Sequence, residues 1–217
     1  MSASVQVSKR ALRKSMAQLL AGVPQDQLLL QSHSLEQTLR SLPVIQNAQK
    51  VGVYMNMDHS EVKTIGLIKA LFDMGKKVYL PHCAPLTSSD FKRFDRQTSK
   101  LIFFQMPTAQ SVLDLKPQGK YKLLEPTSGL DVMDETSGID VILLPAVAYT
   151  KECFRLGHGA GFYDDYIKRH TSKFGMKPFL IGTGLKEQLV SEIPTEPHDE
   201  KLDLVVLADK VYSPHNP

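Results

Sequence analysis

Residues 154–166, FRLGHGAGFYDDY, place three glycines within five positions and follow them with two carboxylates among aromatics. The spacing Gly157-x-Gly159-x-Gly161 lacks the Gly-Lys-Ser/Thr of a Walker A loop and does not fit the GxGxxG dinucleotide fingerprint. Two readings are open. The glycines either permit positive φ in a tight connection, or they let successive backbone N–H groups and a helix N-terminus converge on an anion. In the second reading Arg155 adds a fixed cation, and phosphate is the natural guest. A position after a buried strand and before a helix weighs toward the anion.

An anion site makes the following acids intelligible. Asp164 falls in the first turn of the expected helix, where a carboxylate complements the helix dipole. A carboxylate beside bound phosphates is also what holds Mg²⁺, which keeps waters and takes one or two carboxylates plus phosphate oxygens. A second acidic cluster, Pro197-His198-Asp199-Glu200, is either a solvated loop or the source of another ligand. Tyr54, Phe162 and Tyr163 are core residues or the walls of a slot for a planar heterocycle. Glu61, in HSEVKT, is a surface acid near a helix start or a carboxylate that accepts paired N–H bonds from such a ring. Cys153 stands close to the glycines, yet no histidine or lysine is legible beside it, which favours a half-buried free thiol over a nucleophile. His59 and His82 form no usable pattern.

These groups need a scaffold. SKRALRKSMAQLLAG repeats Leu12, Met16, Leu19 and Leu20 at helical spacing, ending at Gly22 and Pro24, with Lys9 and Arg13 on one face. A second helix is expected from Asp26 to Leu42, stopped by Pro43. KVGVYMNM (50–57) reads as a strand, TIGLIKALFDMG as a helix closing on Gly75, and KKVYLPHC (76–83) as the next strand. That β-α-β unit implies parallel strands and a right-handed crossover. Between Pro85 and Asp131, FKRFDR and KLIFF suggest short antiparallel strands in an irregular insertion. IDVILLP is a near-continuous apolar run, as expected of a strand buried on both faces. A helix to about His170 follows the glycines, with Phe162, Tyr163, Tyr166 and Ile167 as its stripe, and KPFLIGTG and LDLVVLAD are later strands. The expected fold class is α/β: three layers, a mainly parallel sheet with flanking helices, and an N-terminal helical extension (1–45) packed on a single domain spanning 1–217. Ligands of such sheets bind beyond the carboxyl ends of the strands, where the glycines fall.

The whole chain excludes several classes of function. Its 217 residues suffice for a substantial core, and no apolar run is long enough to span a bilayer. Lys9, Arg10, Arg13 and Lys14 fall in an acid-free first 25 residues. With those four set aside, 22 basic residues face 23 acidic ones, so the body carries about −1 and lacks a broad nucleic-acid footprint. Two cysteines, with no CxxC pair, fit a reducing intracellular compartment. The acid-free start also has the look of a mitochondrial presequence, although cleavage would discard Lys9 and Arg13. Cytoplasm and mitochondrion are therefore both expected locations.

Taken in order, SKRALRK (8–14), YMNMDHSEVKT (54–64), LGHGAGFYDDYI (156–167) and LKEQLVSEIPTEPHDEKLDLVV (185–206) resemble 5-formyltetrahydrofolate cyclo-ligase, also called 5,10-methenyltetrahydrofolate synthetase. The motifs span nearly the whole chain, and four in sequence are specific where one would be weak. The resemblance implies cyclisation of 5-formyltetrahydrofolate at the expense of ATP, with Mg²⁺; beside it stand the expectations of a monomer and of small-molecule substrates as its partners. It implies ATP contacts from Lys9, Arg10, Arg13, Arg155 and the loop Gly157, His158, Gly159, Ala160 and Gly161. It implies folate contacts from Arg13, Tyr54, Met55, Glu61, Phe162 and Tyr163, catalytic roles for Tyr163 and Arg155, and metal ligation by Asp164 and Asp199. The chain departs from the family pattern at His158, where relatives often carry arginine, at Ala160, where they carry glycine or lysine, and at Phe162, where tyrosine is usual. Two other classes compete: an α/β enzyme of a sugar phosphate or coenzyme A ester, and a non-catalytic module recruiting an anionic partner through its basic helix. The last requires Lys9 and Arg13 to face open solvent away from Gly159.

Overall fold

A computed structural model describes residues 3–57, 61–88, 90, 92, 97–119, 122–195 and 200–214, without the side chains of 3–7. The chain opens with helix α1 (Ala3–Ala21) and helix α2 (Gln25–Ser41). Pro43 then begins a further short helix, α3 (Pro43–Asn47), where the sequence suggested only a stop. Proline lacks an N–H that the first helical position does not need, so it starts helices as readily as it ends them. Strand β1 is only Lys50–Gly52, and the chain leaves the ladder where the expected strand continued to residue 57.

Helix α4 (Ile65–Asp73) leads to β2 (Lys77–Pro85), which turns back antiparallel through β3 (Ser99–Met106). The KLIFF expectation is therefore met, whereas FKRFDR lies largely outside the described residues. Helix α5 (Ala109–Leu113) was not foreseen; the Thr108 side chain accepts the Ser111 amide and caps it. A two-residue ribbon, β4 (Pro117–Gln118) with β5 (Leu123–Leu124), completes the irregular stretch. Strand β6 (Val141–Leu144) is followed by a second ribbon, β7 (Ala148–Tyr149) with β8 (Arg155–Leu156). Then come α6 (Phe162–Phe174), β9 (Phe179–Gly184), β10 (Leu204–Leu207) and β11 (Lys210–Tyr212).

Seven strands form one sheet in the order β11-β10-β9-β6-β1-β2-β3. The five inner strands are parallel, and β3 and β11 pair antiparallel at the two edges. Successive side chains of a strand point to opposite faces, and the sheet accordingly separates two cores. Val141 and Leu143 join Val51, Val78 and Ile181 beneath α2 and α4. Ile142 and Leu144 join Tyr79, Leu180 and Val205 beneath α6, with its Tyr166 and Ile167. A strand apolar at every position is what two covered faces demand, and all four residues of β6 are buried. Among the described residues no helix is long and apolar enough to cross a membrane.

The far end of α6 is fixed by a buried imidazole. His170 Nε2 accepts the Ile139 N–H at 2.8 Å, and a Cβ on Gly138 would stand 2.2 Å from that nitrogen, so the approach requires glycine there. Burial pushes the imidazole down to about 4, well below its ordinary value. An imidazole freed by unfolding takes up its proton near pH 6.5. Stability is therefore complete above that value and declines as pH falls toward 4. Urea midpoints should drop between pH 7.5 and pH 4.5, a loss on the order of 2 kcal/mol. His170→Gln, which keeps an acceptor but cannot titrate, should flatten that limb.

Candidate active site

The chain leaves β1 toward β2 on one side and leaves β6 toward β9 on the other. The two neighbouring strands thus send their following loops apart, and a crevice opens beyond their carboxyl ends. Residues 53–57 with 61–64 form one wall and residues 145–161 the other.

The glycine loop projects from the β7–β8 ribbon, with Ala148 opposite Leu156 and Tyr149 opposite Arg155. Gly159 has φ +103° and Gly161 φ +67°, conformations that favour glycine. His158, Gly159 and Ala160 are exposed. Among the described residues no amide from Gly157 to Gly161 donates a protein hydrogen bond, and α6 begins directly beyond them. Open amides and a helix N-terminus therefore share one spot, the arrangement that binds anions.

Helix α1 reaches this loop across 144 positions of sequence. Arg13 Nε donates to the Gly157 carbonyl at 2.8 Å, and a Cβ on Gly159 would sit 3.4 Å from the Arg13 guanidinium carbon. Lys9, one turn earlier, is half-buried. The module reading, which needs Arg13 turned away from Gly159, is rejected by this contact. Arg10 is exposed, and among the described residues no hydrogen bond or ion pair joins it to the loop.

Arg155 is sunk deeper. Its side chain is 7% exposed and pairs through Nη2 with Asp164 Oδ1 at 2.5 Å, while its Nε is buried without a partner. Asp164 thus neutralises the guanidinium from the first turn of α6. Asp165 is a structural acid that accepts Arg169 Nε at 2.9 Å. Asp199 lies outside the described residues; Glu200, beside it, pairs with Lys177 at 2.9 Å. Among the described residues no three His, Cys, Asp or Glu side chains cluster as a metal cage.

On the opposite wall Glu61 is buried, 7% exposed. Its Oε2 accepts the Met57 N–H at 2.8 Å, and its Oε1 stands 3.9 Å from His158 Nε2. Met55 is half-buried on the same segment. Burial, then the Glu61 charge, pushes the Tyr163 phenol far up, with Arg155 opposing. Tyr163 is therefore held in its neutral form. Its ring meets Phe103 edge-on at 6.5 Å, and Phe162 beside it is half-buried. Tyr54 belongs to the core beneath the crevice, 4% exposed with its hydroxyl 3.1 Å from Thr183 Oγ1, and offers no open face for a ring.

Neither cysteine is activated. Burial pushes Cys153 up to about 11, and burial with the Glu125 charge does the same to Cys83. Cys153 is fully buried and takes φ +66°. Two supports escaped the sequence reading. Tyr149 is fully buried and its hydroxyl donates to the carbonyls of Leu144 (2.8 Å) and Thr183 (2.9 Å). The glycines of LIGTG were its only trace, since a Cβ on Gly182 would lie 2.5 Å from the Tyr149 ring. Asn56 and Thr64, on the Glu61 wall, hold each other through reciprocal bonds at 3.1 Å.

Fold and site together define an α/β protein in which a loop of undonated amides at a helix N-terminus and a carboxylate-bearing wall face each other at the switch point of a parallel sheet. The chain belongs to the 5-formyltetrahydrofolate cyclo-ligase family, whose model matches residues 5–208. It is 40% identical over 205 residues to 5-formyltetrahydrofolate cyclo-ligase of Saccharomyces cerevisiae, covering 93% of this chain and 96% of that one. It is 30% identical to the Mus musculus protein of the same name, with 95% and 96% covered. The NMR structure of Aquifex aeolicus 5,10-methenyltetrahydrofolate synthetase shares the fold at TM-score 0.71 and 22% identity, over 96% of this chain and 94% of that one.

Gly159→Ala should keep the fold but force a side chain into a left-handed position against Arg13. Calorimetric affinity for inorganic triphosphate should fall roughly tenfold, a loss of about 1.4 kcal/mol, with little change in melting temperature.

Proposed function

We propose that the chain closes 5-formyltetrahydrofolate to 5,10-methenyltetrahydrofolate and splits ATP to ADP and phosphate in doing so. The observation that carries this reading is the two-sided crevice. Cations and open amides from Arg13 to Gly161 face a buried carboxylate, Glu61, flanked by Tyr163. A sugar phosphate or coenzyme A ester would use the first wall and leave Glu61 idle.

The chemistry asks for what this crevice offers. N10 must bond to the formyl carbon held on N5, and the formyl oxygen must leave. The oxygen attacks the γ-phosphorus of ATP, ADP departs, and the oxygen becomes part of a phosphate ester on an N5 iminium carbon. N10 then bonds to that carbon and gives up its proton, and phosphate leaves with the carbon–oxygen bonding pair. No protein nucleophile takes part, in keeping with two inactive thiols. The protein's work is positioning and neutralisation of charge. Lys9, Arg13, His158 and the amides from Gly157 to Gly161 would hold the phosphates. Arg155, with a spare buried N–H, would meet the transferring group once phosphate competes with Asp164. Glu61 would accept N–H bonds of the pterin, Met55 and Phe162 would pack on it, and Tyr163 would donate from a neutral hydroxyl.

Mg²⁺ suits this donor set. An ion held largely by phosphate oxygens and water needs one or two carboxylates and no preformed cage, and Asp164, with Asp199, would supply them. Bound there, the metal would offset charge on the β- and γ-phosphates. Every group named comes from one chain, so the reading requires no partner subunit.

Mixed with 5-formyltetrahydrofolate, ATP and Mg²⁺, the protein should generate the methenyl chromophore; silence across pH and magnesium concentration would refute the reading. Asp164→Asn should lower kcat at least roughly a hundredfold and should also lower the urea midpoint, because it leaves the buried Arg155 guanidinium without its counter-charge, so turnover is compared per folded molecule. Unchanged turnover in that variant would remove Asp164 from the metal site.

A further inference from the structure

Helix α2 carries two adjacent buried polar residues, Gln31 (4% exposed) and Ser32 (8%). Side chains that deep are retained with partners, and here the partners lie in loops at the carboxyl end of the sheet. Ser32 Oγ donates to the Leu28 carbonyl at 2.6 Å and accepts the Lys63 N–H at 2.8 Å. Lys63 is two residues beyond Glu61, and Val62 between them is fully buried. The hydroxyl therefore grips the Glu61 wall from behind.

Gln31 grips the other wall. Its Oε1 accepts the Lys186 N–H at 2.8 Å, and its Nε2 donates to the Glu187 carboxylate at 3.0 Å. The turn at 186–188 packs against α1, the helix that delivers Arg13 to Gly157. The same turn holds the root of the glycine loop. Gln188 donates from Nε2 to the Ala146 carbonyl, and the Val190 N–H bonds the Tyr149 carbonyl at 2.8 Å.

We propose that Gln31 and Ser32 are positioning residues with separate duties. Ser32 sets Glu61 for the pterin, and Gln31 sets α1 and the glycine loop for the phosphates. Neither touches the reacting atoms, and the assignment of substrates to walls rests on the function proposed above. A residue that merely fills the core would lower stability or the active fraction and leave both KM values unmoved.

Steady-state KM for each substrate separates the cases. Ser32→Ala should raise KM for 5-formyltetrahydrofolate roughly five- to tenfold, the scale of one buried hydrogen bond, with KM for ATP within about twofold. Gln31→Leu should do the reverse, and Ser32→Thr, which keeps the hydroxyl, should restore parental values. Both KM values unchanged, or both rising together, would overturn the proposal. If Ser32→Ala does not fold, Ser32→Cys, with its weak hydrogen-bonding thiol, gives the same reading. Hydrogen exchange on the unliganded protein decides the point independently of the reaction. Segment 61–64 should exchange faster only in the Ser32 variant and 186–188 only in the Gln31 variant; identical exchange in both would reject separate duties. A parent protein that forms no methenyl product would refute the functional reading, while this exchange pattern would still judge the positioning.

Discussion

A parallel sheet whose connections diverge between two neighbouring strands cannot close over its own carboxyl edge. Here the divergence falls between β1 and β6, and everything else at the site follows from that gap. The loop after β1 brings a buried carboxylate, the ribbon after β6 brings bare amides, and α1 lies across them with Arg13 bonded to Gly157. Neither wall alone would select a ligand. Together they suit the proposed pairing of a polyanion with a heterocycle.

The charged groups Arg13, Arg155 and Glu61 have protein partners before any ligand arrives. A guanidinium as buried as that of Arg155 is costly unless paired, and Asp164 pairs it. Arg13 meets a carbonyl, and Glu61 meets an amide and faces His158. In the proposed reaction phosphate oxygens would replace Asp164 at Arg155, which would also free the carboxylate for a cation.

Where a local pattern had one physical solution, the sequence was informative. The near-continuous apolar run of IDVILLP suited a strand covered on both faces, and of the two readings of the Gly157–Gly161 spacing, positive φ is present at 159 and 161. Where tertiary context chose between equals, it was silent. Pro43 suits a helix stop or start, and only the packing of Ile45 into the core selects the start. Tyr54 and Tyr163 read alike as aromatics, yet burial beside Thr183 commits the first to the core. Gln31 and Ser32 carry no signal within the helix expected from Asp26 to Leu42, because nothing local announces loops 31 and 155 residues away. Asp199 falls outside the described residues, and the family resemblance alone speaks for it.

The central claim is that the amides of the glycine loop receive the triphosphate. Amide NMR spectra recorded while a non-hydrolysable ATP analogue and Mg²⁺ are titrated into the protein test it most directly. Resonances of Gly157, Gly159 and Gly161 should shift together and saturate at the affinity measured by calorimetry. Saturable binding that leaves those three unmoved while other amides respond would contradict the account.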